Sequence, residues 1–374
     1  MKKILFLTNF SSPEERCYSV TNFSRAAYEA ALLNDLEFHI NTNNEEVIYK
    51  NEDATINFHV VEVYRNPFSK NTWKAYKQLM KVLSEEEFDI IHCNTPIGGV
   101  LGRICGKKKK INKIIYQVHG FHFYKGAPKL NWLIYYPLER LLAHFTDFLI
   151  TINKEDFEIA KKFRLKKNGK VCYVPGVGID LSLYSKQKTN SELRTSLGLK
   201  ADDFICIGIG RIEENKNYES TIRAIEKTKN SKVHLLICGE GMQKNYLLNL
   251  VKSLGIENQI HFLGYRSDIK ELLLISDCYI STSKREGLPR ALMEAMACGL
   301  PCIVSSIRGN VDLICEGKNG YVVPLENINE IANDINKLIT NNRIRDEMKN
   351  NNLIKIKNYS LDKIIEMISN IYKD

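Results

Sequence analysis

Two glutamates eight positions apart, Glu286 and Glu294, stand in the stretch Ser283-Lys-Arg-Glu-Gly-Leu-Pro-Arg-Ala-Leu-Met-Glu-Ala-Met-Ala-Cys-Gly-Leu-Pro-Cys302. Carboxylates accept hydrogen bonds, and sugar hydroxyls donate them. Gly287, beside an expected helix start, leaves backbone N–H groups available to an anion such as a diphosphate. Phosphate, ribose and hexose in one ligand make a nucleotide-sugar. A second set lies in Cys206-Ile-Gly-Ile-Gly-Arg-Ile-Glu-Glu-Asn-Lys-Asn217, where Arg211 and Lys216 follow a strand-like run. Loop cations there suit a diphosphate and can stabilise charge developing on a departing nucleotide. Each signal has a plainer reading when taken singly. A first-turn Glu can compensate the helix dipole, a mid-helix Glu can face solvent, and two loop cations can simply be solvated. Gly239-Glu240-Gly241 is by itself a turn signal. His119, in Tyr116-Gln-Val-His-Gly-Phe-His-Phe-Tyr-Lys-Gly126, ends another strand-like run, with His122 and Lys125 as weaker candidates.

These residues need strands to carry them and helices to follow. In the glutamate motif, Tyr279 and Ile280 end an apolar run and residues 281–285 form a polar loop. Pro289 suits a first helical turn, Leu292, Ala295 and Met296 make a packed face, and Gly299-Leu-Pro301 stops the helix. Glu286 then precedes the helix, and Glu294 lies two turns in, about 80° round. Strand-like runs at 3–8, 36–40, 57–61, 89–92, 113–118, 147–151 and 171–174 alternate with helical runs at 17–33, 69–87, 97–106, 131–145 and 153–164. The pattern restarts with strands at 204–209, 233–238, 259–262, 277–280, 301–304 and 321–323. Helices are expected at 217–229, 242–254, 267–275, 289–298, 327–340 and 343–355. Alternation predicts an α/β chain with two doubly wound parallel sheets. The junction falls near Pro175-Gly-Val-Gly-Ile-Asp-Leu-Ser-Leu-Tyr184 and the polar run 185–192. The expected domains are residues 1–180 and 181–357, followed by the segment 358–374. Ligands bind such sheets outside the strands' carboxyl ends, so two of them predict a cleft between the domains.

The string Glu286-Gly-Leu-Pro, then Glu294-Ala-Met-Ala, then Gly299 and Pro301, resembles the E-x7-E signature of family 4 glycosyltransferases. Gly210-Arg211 with Lys216-Asn217 resembles the same family's G-R-x-x-x-x-K-(G/N). The stretch from His119 through Trp132-Leu-Ile-Tyr-Tyr-Pro-Leu-Glu139 to Ile152-Asn-Lys-Glu-Asp156 resembles bacterial capsule and exopolysaccharide transferases. The resemblance covers nearly the whole chain. It implies the GT-B architecture, two Rossmann-like domains facing across a cleft. It also implies a last helix that crosses back to the first domain, which 360–373 could form with Leu361, Ile364, Ile365, Ile368 and Ile371 at helical spacing. By the resemblance, Arg211 and Lys216 grip the donor's phosphates and Gly239 and Gly241 approach the nucleotide. Tyr265 and Arg266 bracket the base, and Glu286, Gly287, Leu288 and Glu294 complete the donor site. His119 lies beside the transferred sugar, so the catalytic set is His119, Glu286, Arg211 and Lys216. Retention of anomeric configuration is implied, without a clear covalent nucleophile. One departure is the first loop, Thr8-Asn-Phe-Ser-Ser-Pro-Glu-Glu-Arg-Cys-Tyr18, which lacks the glycine pair of many relatives; no role is carried to it. No Asp-x-Asp occurs, so no metal and no other cofactor is expected, and the two cations take the metal's place.

Composition bounds the reading. A chain of 374 residues, 44% hydrophobic and 26% charged, can bury a core in each of two domains. No apolar run reaches the ~18 residues of a membrane span. The start Met1-Lys-Lys-Ile-Leu-Phe-Leu-Thr8 is too briefly apolar for a signal peptide and reads as a first strand. Ten cysteines without a Cys-x-x-Cys pair suit buried free thiols in a reducing cytoplasm. The net charge is +9, and residues 60–131 hold thirteen Lys or Arg against five Asp or Glu, a net +8. Such a local excess suits an anionic surface, lipid or nucleic acid, or is an ordinary solvated face. Trp73, Tyr76, Met80 and Leu83 among Lys70, Lys74, Lys77 and Lys81 are either an interfacial face or core with solvated lysines; Trp132, Tyr135 and Tyr136 pose the same choice. The expected activity is transfer of an N-acetylhexosamine or related hexose from a UDP-sugar to a lipid-linked glycan, at the inner face of the plasma membrane and with peripheral attachment. A nucleotide-sugar 2-epimerase and a degenerate nucleotide-sugar sensor are the rivals on this architecture. A nucleic-acid binder is the rival from another class, and no recognition motif supports it, so no nucleic-acid partner is expected.

Overall fold

The computed structural model describes residues 1–9, 21, 23–44, 46, 55–64, 70–184 and 191–374. Most of the first loop, residues 10–18, lies outside that set, as do the first residues of the helix expected at 17–33. The chain divides into two compact units, one of residues 1–178 with 361–374 and the other of residues 179–360.

The first unit is built on seven strands: β1 (Lys2–Leu7), β2 (Leu36–Thr42), β3 (Ile56–Val60), β4 (Ile90–Cys93), β5 (Lys113–Val118), β6 (Phe148–Thr151) and β7 (Lys170–Tyr173). They lie in the order β3-β2-β1-β4-β5-β6-β7, all parallel, so the order reverses between β1 and β4. Parallel strands covered on both faces must be apolar on both, and β1 shows it. Ile4 and Phe6 pack with Ala27, Phe38 and Ile40 on one face, while Leu5 and Leu7 pack with Leu79, Ile91 and Leu101 on the other. The helix Leu361–Lys373, last in the chain, belongs to this unit and buries Ile364, Ile365 and Ile368 in the first of those cores. Its end is pinned where Tyr372 Oη meets His92 Nδ1 at 2.7 Å and where Lys113 Nζ donates to the Tyr372 carbonyl at 2.7 Å.

The second unit repeats the plan with β8 (Phe204–Ile209), β9 (Val233–Cys238), β10 (Ile260–Gly264), β11 (Cys278–Ser281), β12 (Cys302–Ser305) and β13 (Gly320–Val323). The order is β10-β9-β8-β11-β12-β13, again parallel, with the reversal between β8 and β11. A parallel sheet binds ligands outside the carboxyl ends of its strands at such a reversal.

Several elements differ from expectation. The helix expected at 153–164 stops at Ala160, and short helices form at Ser191–Ser196 and Asn310–Leu313, too brief to show a period. In the helix Lys70–Glu85 the buried residues are Ala75, Leu79, Val82 and Leu83, whereas Trp73 is 62% exposed. The stripe Trp73-Tyr76-Met80-Leu83 is therefore split between surface and core. Cys315 is exposed and Cys172 half-buried, which corrects the expectation of uniformly buried thiols; the other seven described cysteines are buried, and all nine are free.

Candidate active site

In the second unit three strand-end loops converge beside the β8–β11 reversal. Gly210 leaves β8 with φ 146°, and a Cβ there would meet Lys216 Cε at 2.8 Å. Only glycine therefore lets the lysine fold back across the strand end. The return is made by a short 3-10 turn, Glu214–Lys216, and by Asn217 in the left-handed region (φ 51°), where Asn is tolerated, ahead of the helix Tyr218–Lys227. Thr282 Oγ1 donates to the Asn217 carbonyl at 2.7 Å, Lys284 N to the Asn215 carbonyl at 2.8 Å and Asn215 Nδ2 to the Arg285 carbonyl at 3.0 Å. These bonds fasten the loop after β8 to the loop after β11. At their meeting point Lys216 Nζ lies 2.6 Å from Glu286 Oε1, both side chains partly accessible. Arg211 is far more open, and its Nη1 makes a 3.4 Å ion pair with Glu213.

The loop after β12 clamps the glutamate loop from the other side. Ser305 Oγ donates to the Ser283 carbonyl at 2.5 Å and Arg308 Nε to the Glu286 carbonyl at 3.2 Å. Gly309, at φ 79°, abuts Gly287: a Cβ there would meet the Gly287 carbonyl oxygen at 2.4 Å. Leu288 is buried beneath this contact. Arg308 and Gly309 were not singled out from sequence, although they stand just past β12 as Gly210 and Arg211 stand just past β8.

The helix of the motif runs Arg290–Ala297 with Pro289 as its N-cap, one position later than expected for the proline. Its buried residues include Leu292, Ala295 and Met296. Glu294 Oε1 accepts from Arg290 Nε at 2.8 Å, one turn away. Tyr184 is a further neighbour: burial, then the Glu294 charge, raises its phenol pKa, which keeps the hydroxyl protonated as a donor.

Gly239 and Gly241 have a neighbour other than a ligand. A Cβ on Gly239 would strike the Gly210 carbonyl oxygen at 2.1 Å, and one on Gly241 the Ile212 carbonyl oxygen at 2.3 Å. Backbone packing between the loops after β8 and β9, bonded Ile212 N to Glu240 O at 2.9 Å, accounts for both glycines. Tyr265 is 86% exposed, while Arg266 is held to Asp268 through Nε at 2.7 Å.

In the first unit, His119 follows β5, and its Nε2 lies 2.7 Å from Asn94 Oδ1, the residue just past β4. Asn94 offers a carbonyl, so His119 carries its proton on Nε2. Burial lowers the His119 pKa to about 4, leaving the ring neutral at ordinary pH. His122 instead stacks on Tyr135 with centroids 4.7 Å apart, and Lys125 is exposed, with its backbone N–H on Glu155 Oε1 at 2.6 Å. A groove of about 760 Å³ between the helices Arg25–Leu32 and Leu361–Lys373 is lined by none of these groups.

Such an arrangement can hold a sugar diphosphate: two cations at a strand end, glycine backbone beside them, and two carboxylates with free acceptor capacity. Residues 189–354 match the family model for glycosyl transferases group 1, and residues 3–153 the model for glycosyl transferase 4-like proteins. EpsD of Bacillus subtilis (strain 168), named as a glycosyltransferase, is 35% identical over 309 residues, spanning 81% of this chain and 80% of its own. The chain belongs to the family 4 glycosyltransferases. Another member is the Escherichia coli UDP-Gal:alpha-D-GlcNAc-diphosphoundecaprenol alpha-1,3-galactosyltransferase, 31% identical over 330 residues, 86% of this chain and 85% of its own. Among solved structures, Anabaena Alr3699/HepE in complex with UDP and glucose superposes with a TM-score of 0.79 at 21% identity over the full length of both chains, which shows the GT-B fold. In this family 4 glycosyltransferase, Arg211, Lys216, Glu286 and Glu294 all fall in the group 1 match, and His119 falls in the 4-like match.

Proposed function

We propose that this glycosyltransferase moves a hexose, or an N-acetylhexosamine, from a UDP-sugar to a glycan carried on a lipid diphosphate, in capsule or exopolysaccharide synthesis, with retention. The observation that carries the donor half is the Lys216–Glu286 contact at 2.6 Å, beside the exposed Arg211. A lysine ammonium has three donors; Glu286 uses one and leaves two for a diphosphate. Arg211 adds a fork suited to phosphate oxygens. As the bond from the anomeric carbon to UDP breaks, these cations stabilise the charge left on the diphosphate, and no metal is needed for that step. The acceptor hydroxyl attacks on the face from which UDP leaves, and its proton passes to the departing phosphate. Glu286 then accepts from the hexose and Glu294 from the ribose. The acceptor half rests on the galactosyltransferase relative, whose name specifies a diphosphoundecaprenol-linked sugar. An acceptor of that kind lies in a membrane, and peripheral attachment at the inner face is the location this reading gives the enzyme; no helix among the described residues is long and apolar enough to cross a membrane.

The test is a mass-spectrometric screen of UDP-hexoses and UDP-N-acetylhexosamines against diphosphoundecaprenol-linked sugars, with NMR of the new anomeric centre. One added sugar on the lipid with its anomeric configuration kept is the expected product. An altered free sugar in place of a lipid-linked product would establish the 2-epimerase instead.

A further inference from the structure

Lys3 on β1, Glu37 and His39 on β2, and His59 on β3 cluster at one edge of the first unit's sheet, and Glu86 reaches them from just beyond the helix Lys70–Glu85. His39 Nδ1 lies 2.7 Å from His59 Nε2, the two rings stacked at 18° with centroids 5.0 Å apart. Phe88 packs edge-on against both. Glu86 Oε2 lies 3.8 Å from His39 Nδ1, and Glu86 Oε1 lies 3.8 Å from His59 Nε2. None of these groups belongs to the donor site, which is in the other unit, and the transfer chemistry uses none of them.

We propose that His39 Nδ1, His59 Nε2 and a Glu86 carboxylate oxygen bind one divalent ion of the zinc class. The three donor atoms all lie within 4.8 Å of one another, a spread that small side-chain shifts would close onto an ion bonded at about 2.0–2.2 Å. Two imidazoles and one carboxylate are a donor set for zinc and its transition-metal neighbours, not for magnesium or calcium. The two facing ring nitrogens can share at most one proton, and an ion takes that proton's place. His39 is 2% exposed, and its other nitrogen, Nε2, faces Glu37 Oε1 at 3.1 Å. Nε2 makes no aligned hydrogen bond as it stands; a small turn of the ring on taking up the ion would let it donate to Glu37, the kind of carboxylate partner that raises the basicity of a ligating imidazole. Lys3 Nζ, 3.0 Å from Glu86 Oε2, occupies one carboxylate oxygen and leaves Oε1 toward His59. Its charge opposes the ion, so removing it should tighten binding. The bound ion would staple β2, β3 and the entry to β4, a structural site with no part in sugar transfer.

The full chain, stripped with EDTA and dialysed, is titrated with Zn²⁺ by calorimetry and with Co²⁺ by visible absorption. One ion per chain is expected, with a rise in thermal midpoint. His59→Gln and Glu86→Gln, both at more accessible positions than His39, should each lower affinity by about a hundredfold and abolish the rise. Glu37→Gln should cost about ten- to a hundredfold, Lys3→Met should bind more tightly, and Cys315→Ser, which removes an exposed thiol elsewhere, should change nothing. Metal dependence of transfer measured in His59→Gln reports on the donor site alone, which separates the two questions. Absence of saturable Zn²⁺ binding, or binding that His59→Gln and Glu86→Gln leave unchanged, would overturn the proposal.

Discussion

Lys216 and Arg211 are two cations of one motif in different states. Lys216 is already oriented by Glu286 at 2.6 Å, whereas the Arg211 side chain is 64% exposed. Arg211→Ala should therefore lower turnover by about a hundredfold, the usual loss for one preorganised donor to developing charge, with little change in thermal midpoint. Lys216→Ala should lose as much turnover and also some stability, because Glu286 keeps its charge without its partner. Near-normal turnover in both variants would remove them from the leaving-group site. The two glutamates should fail differently. Glu294→Gln should weaken UDP binding in calorimetry, while Glu286→Gln should spare UDP and impair transfer; equal losses of UDP affinity would reject the division. Arg211, Lys216 and Glu286 were legible in the sequence as charged side chains in loops that follow strands, and Glu294, inside the helix Arg290–Ala297, only through the string it shares with the family motif. Arg308 was not, since its contact is to the backbone carbonyl of Glu286, and a bond to backbone leaves no mark on the partner's identity. Gly239 and Gly241 were legible as special positions, but the neighbour that demands them, the Gly210–Ile212 backbone, becomes visible only once β8 and β9 pair.

At the scale of elements, alternating apolar runs locate the strands, and the parallel order follows from the crossover helices. The last helix shows what periodicity leaves out. The spacing of Ile364, Ile365, Ile368 and Ile371 marks an apolar face, but its polar anchors, His92 and Asn34, lie hundreds of positions earlier. His92 is fully buried, and burial lowers its pKa to about 3, against 6.5 in an unfolded chain. Between those values the unfolded chain binds a proton that the folded chain refuses. Stability therefore falls as pH drops from about 6.5 to about 3 and is insensitive to this group above 6.5. The slope for one such group is about 1.4 kcal/mol per pH unit. His92→Phe should cost stability at pH 7.5, through the lost bond to Tyr372, and recover relative to wild type as the pH falls to 4.5. Tyr372→Phe removes the same hydrogen bond but not the titration, so it should show no such recovery. Urea denaturation at pH 7.5, 5.5 and 4.5 checks this; a His92→Phe penalty independent of pH would show that the ring titrates normally in the folded state.

For the whole molecule, the question is where a chain of net charge +9 carries its excess. The window 60–131 overstates the surface charge. Arg103 is fully buried, 2.8 Å from Glu139 and with its guanidinium 4.0 Å over the Tyr116 ring, while Lys74 sits 2.6 Å from Glu62 and Lys113 donates to the last helix. Lys70, Lys77, Lys107, Lys108, Lys110, Lys125 and Lys129 remain exposed. The structure adds what composition could not show: the helix Lys129–Ala143 turns Leu130, Leu133 and Leu141 outward, each at least 60% exposed, along with Trp132. Apolar side chains flanked by lysines fit an anionic bilayer surface, where the chains enter the headgroup region and the ammonium groups meet lipid phosphates. Each such lysine contributes on the order of 1 kcal/mol, roughly fivefold in binding, attenuated by salt. The protein should therefore pellet with anionic vesicles at low salt and much less with neutral ones. Changing Lys107 to Lys110 together to Gln should erase most of the difference between the two lipids. Leu133→Glu with Leu141→Glu should reduce pelleting at a salt concentration where charge alone no longer holds the protein. Equal, negligible pelleting with both lipids at low salt would remove the membrane from the proposed function. Pelleting that survives the lysine changes but not the leucine changes would assign the attachment to the helix alone.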